Sequence, residues 1–442
     1  MVNYLQGEKY LSTCSLQSKL QYGFGRSYST ASVEVTVRLR SKLQCDFGRS
    51  YSTTSVEVTV RLQSKYKVRF RRGIAEGQDE FIIYNVCMRT KVFLSGLLLA
   101  VVANAQVVYH DASAFPLLGK ATESTLTRYE RLPDSLQSVS RKPLWELGRN
   151  SAGLAVRFRS NSTCIAARWE TRNNFRMNHM TPTGICGLDL YYLQDGQWMF
   201  AGSGRPSEKL TEAVIVRNML PEEREYLLYL PLYDGAVSLA IGVDSLSMID
   251  RPAVDLPKRE KPVAFYGTSI LQGGCASRPG MAHTNILERR LNRECINLGF
   301  SGNALLDLEI ADVLAGVDAA LFVLDFVPNA GVTHIKERAD KFYSIIRGKH
   351  PDTPILFVED PIFVHAALDT KIAKEIKEKN EALGAFFRSL QQRGEKNIYL
   401  LSSRDIIGHD GEATVDGIHF TDLGFMRYAE VLYPICSKLI FQ

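Results

Sequence analysis

Two hydrophobic rhythms divide the chain. Between about residues 108 and 255 the apolar residues alternate or come in short runs: GLAVRFRS, STCIAARWET, GLDLYYLQDGQWMFAG, REYLLYLPLYDG and VSLAIGVDSLSM, each bounded by turn residues. One-in-two alternation gives a strand one inward and one outward face, and Asp195-Gly196 between two such runs marks a tight hairpin. Few stretches show helical spacing, so this half reads as an antiparallel β-sandwich, jelly-roll-like. Proline-rich, charged RPAVDLPKREKP (251–262) reads as a linker. Beyond it the rhythm changes. Apolar runs VAFYG, ECINLG, AALFVLDF, PILFVEDP and IYLLSSRD are separated by helix-like segments near 281–293, 305–314, 335–349, 369–394 and 421–440. Nearly all-apolar strands alternating with helices predict a parallel sheet covered on both faces, an α/β fold whose ligands bind outside the carboxyl ends of the strands.

The start of the chain follows neither rhythm. FGRSYSTASVEVTVRLRSK (24–42) recurs as FGRSYSTTSVEVTVRLQSK (47–65), with 17 of 19 positions identical. Two copies are too few for a solenoid. SVEVTVRL alternates like a strand, so a small hairpin is one reading; the preferred one is an upstream extension over 1–87, non-native or disordered. Met88 opens MRTKVFLSGLLLAVVANAQ, with Arg89 and Lys91 before an apolar run and Ala103-Asn104-Ala105 after it. Those are the three regions of a secretory signal peptide over 88–105, and the run is too short for a stable membrane span. With translation from Met88, the mature protein is expected to begin near Gln106 and to be exported, periplasmic or extracellular. The charge changes with this division. Residues 1–87 hold 13 Lys and Arg against 7 Asp and Glu, which accounts for more than the whole net charge of +5. The remainder carries no basic excess, which argues against nucleic acid as a partner. Five cysteines remain after residue 88 (Cys164, Cys186, Cys275, Cys295 and Cys436), with no C-x-x-C spacing. They make neither a zinc motif nor a disulfide framework; a Cys164–Cys186 bridge stays open beside the reading of small core residues.

The chemistry sits at the predicted strand ends. The first strand runs into Gly267-Thr268-Ser269-Ile270, the second into Gly299-Phe300-Ser301-Gly302-Asn303, the third into Asp325-Phe326-Val327-Pro328-Asn329. A loop after the fifth carries Asp416-Gly417-Ile418-His419. A serine hydroxyl needs a base to take its proton as it attacks. His419 can be that base, and Asp416 can hold the imidazole tautomer and stabilise the imidazolium. The Ser269 and Gly302 backbone N–H groups and the Asn329 side-chain amide are candidate donors to an oxyanion, with Gly302 allowing close approach. Taken singly, each is also a turn or a helix cap.

As a set, these residues resemble the SGNH (GDSL-type) hydrolases. YGTSI resembles the nucleophile block, NLGFSGNA the glycine block and DGIHF the Asp-x-x-His block. The family's third block is commonly Gly-x-Asn-Asp; here it is Val-Pro-Asn-Ala, leaving Asn329 as the counterpart. Thr268 stands where the GDSL name has Asp. Upstream, Gly187-Leu188-Asp189-Leu190-Tyr191 resembles the G-x-D-L-Y element of a β-sandwich that precedes one subgroup. The resemblance implies a β-sandwich over 106–255 and a flavodoxin-like catalytic domain over 260–442. It implies ester hydrolysis by Ser269, Asp416 and His419, with Ser269, Gly302 and Asn329 as the oxyanion hole, and no metal or organic cofactor. With the sandwich and the signal, it suggests a carbohydrate esterase that deacetylates a glycan. The alternatives are a lipase- or thioesterase-like acyl hydrolase and a catalytically silent glycan-binding protein. The partner expected is a small-molecule or glycan ester; the oligomeric state is not specified.

Other polar residues carry double readings. His283 reads as a solvent-facing or capping residue rather than a site wall. Glu359-Asp360 and His365 are either pocket-shaping or turn residues, and His409-Asp410 reads as surface. Arg278 either meets substrate or anchors its loop. Asp189, Tyr191 and Tyr192 read as a sheet interior or interdomain seam before a sugar-facing surface.

Overall fold

The computed structural model describes residues 106–441, together with two strands near the start, β1 (Ser32–Lys42) and β2 (Thr53–Gln63). The two repeat copies pair antiparallel, Ser32 opposite Gln63 and Lys42 opposite Thr53. The signal segment 88–105 lies outside the described residues. Residues 1–99 and 100–442 form separate compact units, and the second contains both the sandwich-like and the α/β half.

The first half of this second unit is two antiparallel sheets. One carries, in order, β12 (Ile249–Asp250), β5 (Ala155–Ser160), β10 (Arg224–Tyr229), β7 (Leu188–Gln194) and β8 (Gln197–Gly204), with β4 (Leu117–Leu118) also beside β5. The other runs β3 (Val107–Asp111), β11 (Ala236–Asp244), β6 (Ile165–Thr171), β9 (Leu210–Val216). Alternate residues face inward: Val156, Phe158, Leu190 and Leu228 from one sheet meet Ala167, Trp169, Leu239 and Ile241 from the other. The β7–β8 hairpin turns at Asp195 and Gly196, both with positive φ (51° and 77°), as the sequence predicts for a twist-matched turn. β9 escaped prediction because it is a sheet edge, with Leu210, Glu212 and Val214 in solvent.

The outward face of the larger sheet is buried as well. Ala155, Tyr191, Leu227 and Tyr229 form a cluster of their own. This explains why REYLLYLPL is a continuous apolar run rather than an alternating one: β10 is covered on both faces.

The second half is a five-stranded parallel sheet. Its order is β14 (Arg293–Gly299), β13 (Lys258–Gly267), β15 (Leu321–Asp325), β16 (Ile355–Val358), β17 (Ile398–Leu401), the 2-1-3-4-5 order of flavodoxin-like folds. Val263, Phe265, Val323 and Leu356 point to one face, beneath helices α4 (His283–Leu291) and α8 (Asp422–Ile440). Ala264, Tyr266, Phe322 and Leu324 point to the other, beneath α5 (Leu308–Ala315) and α6 (Val332–Lys349). Each such fully buried large side chain contributes roughly 1.5–3 kcal/mol. The long helix α7 (Thr370–Gln392) is set by Asp369, whose carboxylate accepts from the Lys371 and Ile372 N–H groups.

The two halves share cores. Leu132, with Leu144 and Trp145 of helix α1 (Lys142–Gly148), packs from the front half into the α5–α6 side of the parallel sheet. Ile185 and Cys186 of the short helix α2 (Pro182–Cys186) pack into the α4–α8 side. Arg131 is fully buried and donates to the Asn297 and Gly299 carbonyls at 3.0 and 2.8 Å. The expected linker is partly sheet: β13 begins at Lys258, paired with Arg293, and the Arg293 guanidinium holds the Glu260 and Lys261 carbonyls at 2.7 and 2.9 Å. All five cysteines after residue 88 are free, so the Cys164–Cys186 bridge does not form and the small-core reading holds for the four that are buried. No helix among the described residues is long and apolar enough to cross a membrane.

Candidate active site

β13 ends at Gly267, and the chain turns at once into the short helix α3 (Ser269–Gln272). Thr268 caps it, its hydroxyl accepting from the Ile270 N–H, and Gly273, at φ 101°, closes it. Ser269 thus sits on the first turn, where helix geometry leaves the N–H without an intrahelical acceptor. The Ser269 carbonyl accepts from the Gly274 N–H at 2.7 Å and from the Tyr233 hydroxyl at 3.2 Å, which clamps the turn from the sandwich side. Sequence reasoning missed Tyr233, for nothing local distinguishes it from a strand residue.

Three side chains then form one chain of hydrogen bonds. The Ser269 hydroxyl donates to His419 Nε2 at 2.9 Å. His419 Nδ1–H donates to Asp416 Oδ2 at 2.7 Å. Asp416 Oδ1 accepts from the backbone N–H groups of Ile418 (3.0 Å) and His419 (2.8 Å), so its own loop fixes it. Partial burial pushes the Asp416 carboxyl up, but these hydrogen bonds outweigh it and bring the group down to about 2. An ionised Asp416 on Nδ1 leaves the Nε2 lone pair facing the hydroxyl, as a general base requires.

The other two candidates stand on loops laced to this turn. Phe300 N–H donates to the Gly267 carbonyl at 2.9 Å, and Ser301 N–H to Gln272 Oε1 at 3.0 Å. Ala304 N–H donates to Asn329 Oδ1 at 3.3 Å, which engages the acceptor end of that amide and leaves Nδ2 as its donor. Gly302 has φ 66°, and a Cβ there would meet nothing within 4 Å. Its glycine is required by backbone conformation, beside open space rather than a crowding neighbour. Gly299 is the opposite case: a Cβ would lie 2.3 Å from the Gln272 nitrogen, so only glycine lets α3 rest on the end of β14.

The remaining polar residues resolve by contact. Arg278 donates to Asp189 Oδ2 and to the Tyr191 hydroxyl, both at 2.6 Å, with its guanidinium 4.0 Å from the Phe200 ring centroid. It anchors its loop, and Asp189 and Tyr191 belong to the interdomain seam. His283 is fully buried among Phe425, Tyr428 and Phe265, so the solvent-facing reading is wrong. The first turn of α4 lies under α8, and burial pushes the imidazole down to about 3. Asp325, beneath the Asn329 loop, is pushed up to about 7 by burial, against the hydroxyl of Tyr428 that donates to it at 2.7 Å. Burial likewise raises Asp360 to about 7, with Lys379 3.8 Å away drawing it down. His365 packs onto Gly417 of the Asp416–His419 loop. His409 pairs with Asp405, and Asp410 with Arg427. Missed altogether was His179, on a sandwich loop, whose ring centroid lies 5.6 Å from that of His419. A groove of about 800 Å³, walled in part by Phe363, Ile376 and His409, does not include Ser269, Asp416 or His419.

Residues 260–437 match the model of the GDSL-like lipase/acylhydrolase family, and residues 107–249 match that of the N-terminus of SGNH-hydrolase-type esterases. Among solved structures, a protein described as a GDSL-like lipase from Bacteroides ovatus is 39% identical, over 76% of this chain and 98% of its own, at a TM-score of 0.73. A salicylyl-acyltransferase from a tetracycline biosynthetic pathway (17% identical, 76% and 98% covered, TM-score 0.62) shares the fold. So does a family two carbohydrate esterase from Cellvibrio japonicus (12% identical, 76% and 98% covered, TM-score 0.50). No curated protein matches. The chain belongs to the GDSL-like lipase/acylhydrolase family and is an ester hydrolase of the SGNH type.

Proposed function

We propose that this protein is an exported serine esterase that removes acyl groups, acetyl foremost, from a glycan. The observation that carries the reading is the unbroken hydrogen-bond chain from Ser269 through His419 to Asp416, at 2.9 and 2.7 Å. Ser269 Oγ attacks the ester carbonyl as His419 Nε2 takes its proton, and Asp416 steadies the imidazolium. Negative charge on the former carbonyl oxygen is met by the Ser269 and Gly302 N–H groups and by Asn329 Nδ2. His419 returns the proton to the leaving alkoxide, and the same base then activates the water that releases the acid. The signal-like segment 88–105 supports export. Sharing the two-domain fold of the Cellvibrio japonicus carbohydrate esterase supports a glycan ester as the first substrate class to test.

A second reading, hydrolysis of longer acyl chains, has its own observation. Val415 and Ile418 on the His419 loop, and Ile362, Val364 and Leu368 on the loop after β16, are exposed apolar side chains. Assay of the full chain on acetylated sugars and on nitrophenyl esters of increasing acyl length separates the two. Preference for acetyl on sugar supports the glycan reading; preference for long acyl chains moves the function to the lipase side; absence of any turnover sinks both.

A further inference from the structure

His179 lies on the sandwich loop 172–181, which is tied down at several points. The Asp234 carboxylate accepts from the Asn173 N–H at 3.1 Å and the Phe175 N–H at 3.0 Å, and Met180 is buried in the hydrolase core. The hydroxyls of Thr181 and Thr183 both donate to the Ser277 carbonyl, at 2.7 and 2.6 Å. That carbonyl belongs to the loop that carries Cys275, so the two loops are bolted together. His179, Cys275 and His419 consequently converge: their ligating atoms all lie within 4.8 Å of one another.

The chemistry of the donors is specific. His419 Nδ1–H is held by Asp416 at 2.7 Å, and His179 Nδ1 by Asn178 Oδ1 at 2.9 Å. Each imidazole therefore has its Nδ1 engaged by an oxygen acceptor and turns its Nε2 lone pair the other way; that of His419 accepts the Ser269 hydroxyl at 2.9 Å, which an incoming ion would displace. A carboxylate or amide oxygen behind each ring is how metal-ligating histidines are oriented. Cys275 is 7% exposed; while Cys186 Sγ finds the Phe175 carbonyl at 3.4 Å, Cys275 has no such partner among the described residues. Two imidazole nitrogens and one sulfur suit zinc-class ions over magnesium or calcium. A tetrahedral ion with bonds of about 2.0–2.3 Å sets its ligands about 3.3–3.8 Å apart, so side-chain rotations of about 1 Å would close the site, with water in the fourth position.

We propose that this pocket binds a soft divalent cation of the zinc class through His179 Nε2, Cys275 Sγ and His419 Nε2, and that the bound ion inhibits the esterase. The inhibitory half rests on the function proposed above. One lone pair on His419 Nε2 cannot accept the Ser269 proton and coordinate a metal, so occupancy removes the base. Cys275 loses its thiol proton to solvent as the sulfur takes the ion, a cost that the metal's charge offsets.

The test uses the purified full chain and zinc itself. In competition with a chromophoric chelator, His179→Ala should weaken zinc binding by about 100-fold or more, and Cys275→Ser comparably. Cobalt in place of zinc should give a thiolate-to-metal charge-transfer band in the near ultraviolet that Cys275→Ser lacks. Ser269→Ala should bind zinc normally, so binding is read even if no esterase activity is found and the functional reading falls. In the ester assay, zinc at the concentration that fills the site should stop turnover, chelator should restore it, and His179→Ala should need about 100-fold more zinc, each variant referred to its own zinc-free rate. Equal zinc affinity in wild type and His179→Ala overturns the site; a filled site with undiminished turnover overturns the inhibition.

Discussion

At the scale of single residues, the site divides the work between groups whose environments differ. Asp416 is only partly buried yet stays ionised, because three donors face its two oxygens. Its replacement by asparagine would keep the shape and lose the charge that selects the Nδ1–H tautomer. Asp416→Asn is expected to lower kcat by about four orders of magnitude while the melting temperature hardly moves; a loss of tenfold or less in steady-state assays would remove Asp416 from this role. Asn329 is held by its oxygen and offers its nitrogen. Asn329→Ala should therefore cost about 3–4 kcal/mol in the transition state, seen as a fall in kcat with KM nearly unchanged. Ser269→Ala should leave a folded protein without turnover, and normal rates from that variant would discard the nucleophile assignment.

Elements matter through the way their ends are joined. Asp189, fully buried on β7, is satisfied from the other half of the molecule, by Arg278 and by the Gly280 N–H at 2.9 Å, and from its own sheet by Ser203 at 2.8 Å. Burial pushes its carboxyl up and Arg278 draws it back. Arg278→Met would leave the carboxylate buried without its ion partner, a change that typically costs about 3–5 kcal/mol. Urea unfolding of that variant should show a midpoint well below wild type; an unchanged midpoint would mean that the Arg278–Asp189 pair is not what joins β7 to the loop after α3. The resemblance of GLDLY to a known element was readable in the chain. That its aspartate is a joint rather than a sugar contact depends on Arg278, 89 residues later.

Over the whole molecule, the seam between the halves collects acids whose proton affinity burial raises. Glu288 is raised to about 8 and accepts from Tyr229 of the sandwich at 2.8 Å; Glu294 is raised to about 7 and accepts from the Gly119 N–H at 2.6 Å. Asp325 and Asp360, near the site, are raised to about 7. A carboxyl whose folded value lies above its unfolded one holds its proton more tightly when folded, so its stabilising contribution is full at low pH and is lost as pH rises through the folded value. His283, lowered from 6.5 to about 3, acts oppositely but only below 6.5. Thermal stability should accordingly decline between about pH 6.5 and 8, where the four carboxyls ionise unopposed. A melting temperature that rises across that interval would contradict their burial as acids.

The strand–helix alternation of the second half and the hairpin at Asp195-Gly196 were legible in the linear chain, because periodicity and turn chemistry act between near neighbours; the candidates Ser269, Gly302, Asn329, Asp416 and His419 stood out as a set at successive strand ends, through their resemblance to known sequence blocks. Contacts made across the fold were not. His283 reads as an ordinary helix-start histidine until α8 covers it, and Tyr233 as a strand residue until its hydroxyl reaches Ser269. His179 carries no local mark at all. Hydrophobic pattern specifies which face of each element is buried; which partner buries it, and which distant side chain then meets which, is decided only when those faces pack together.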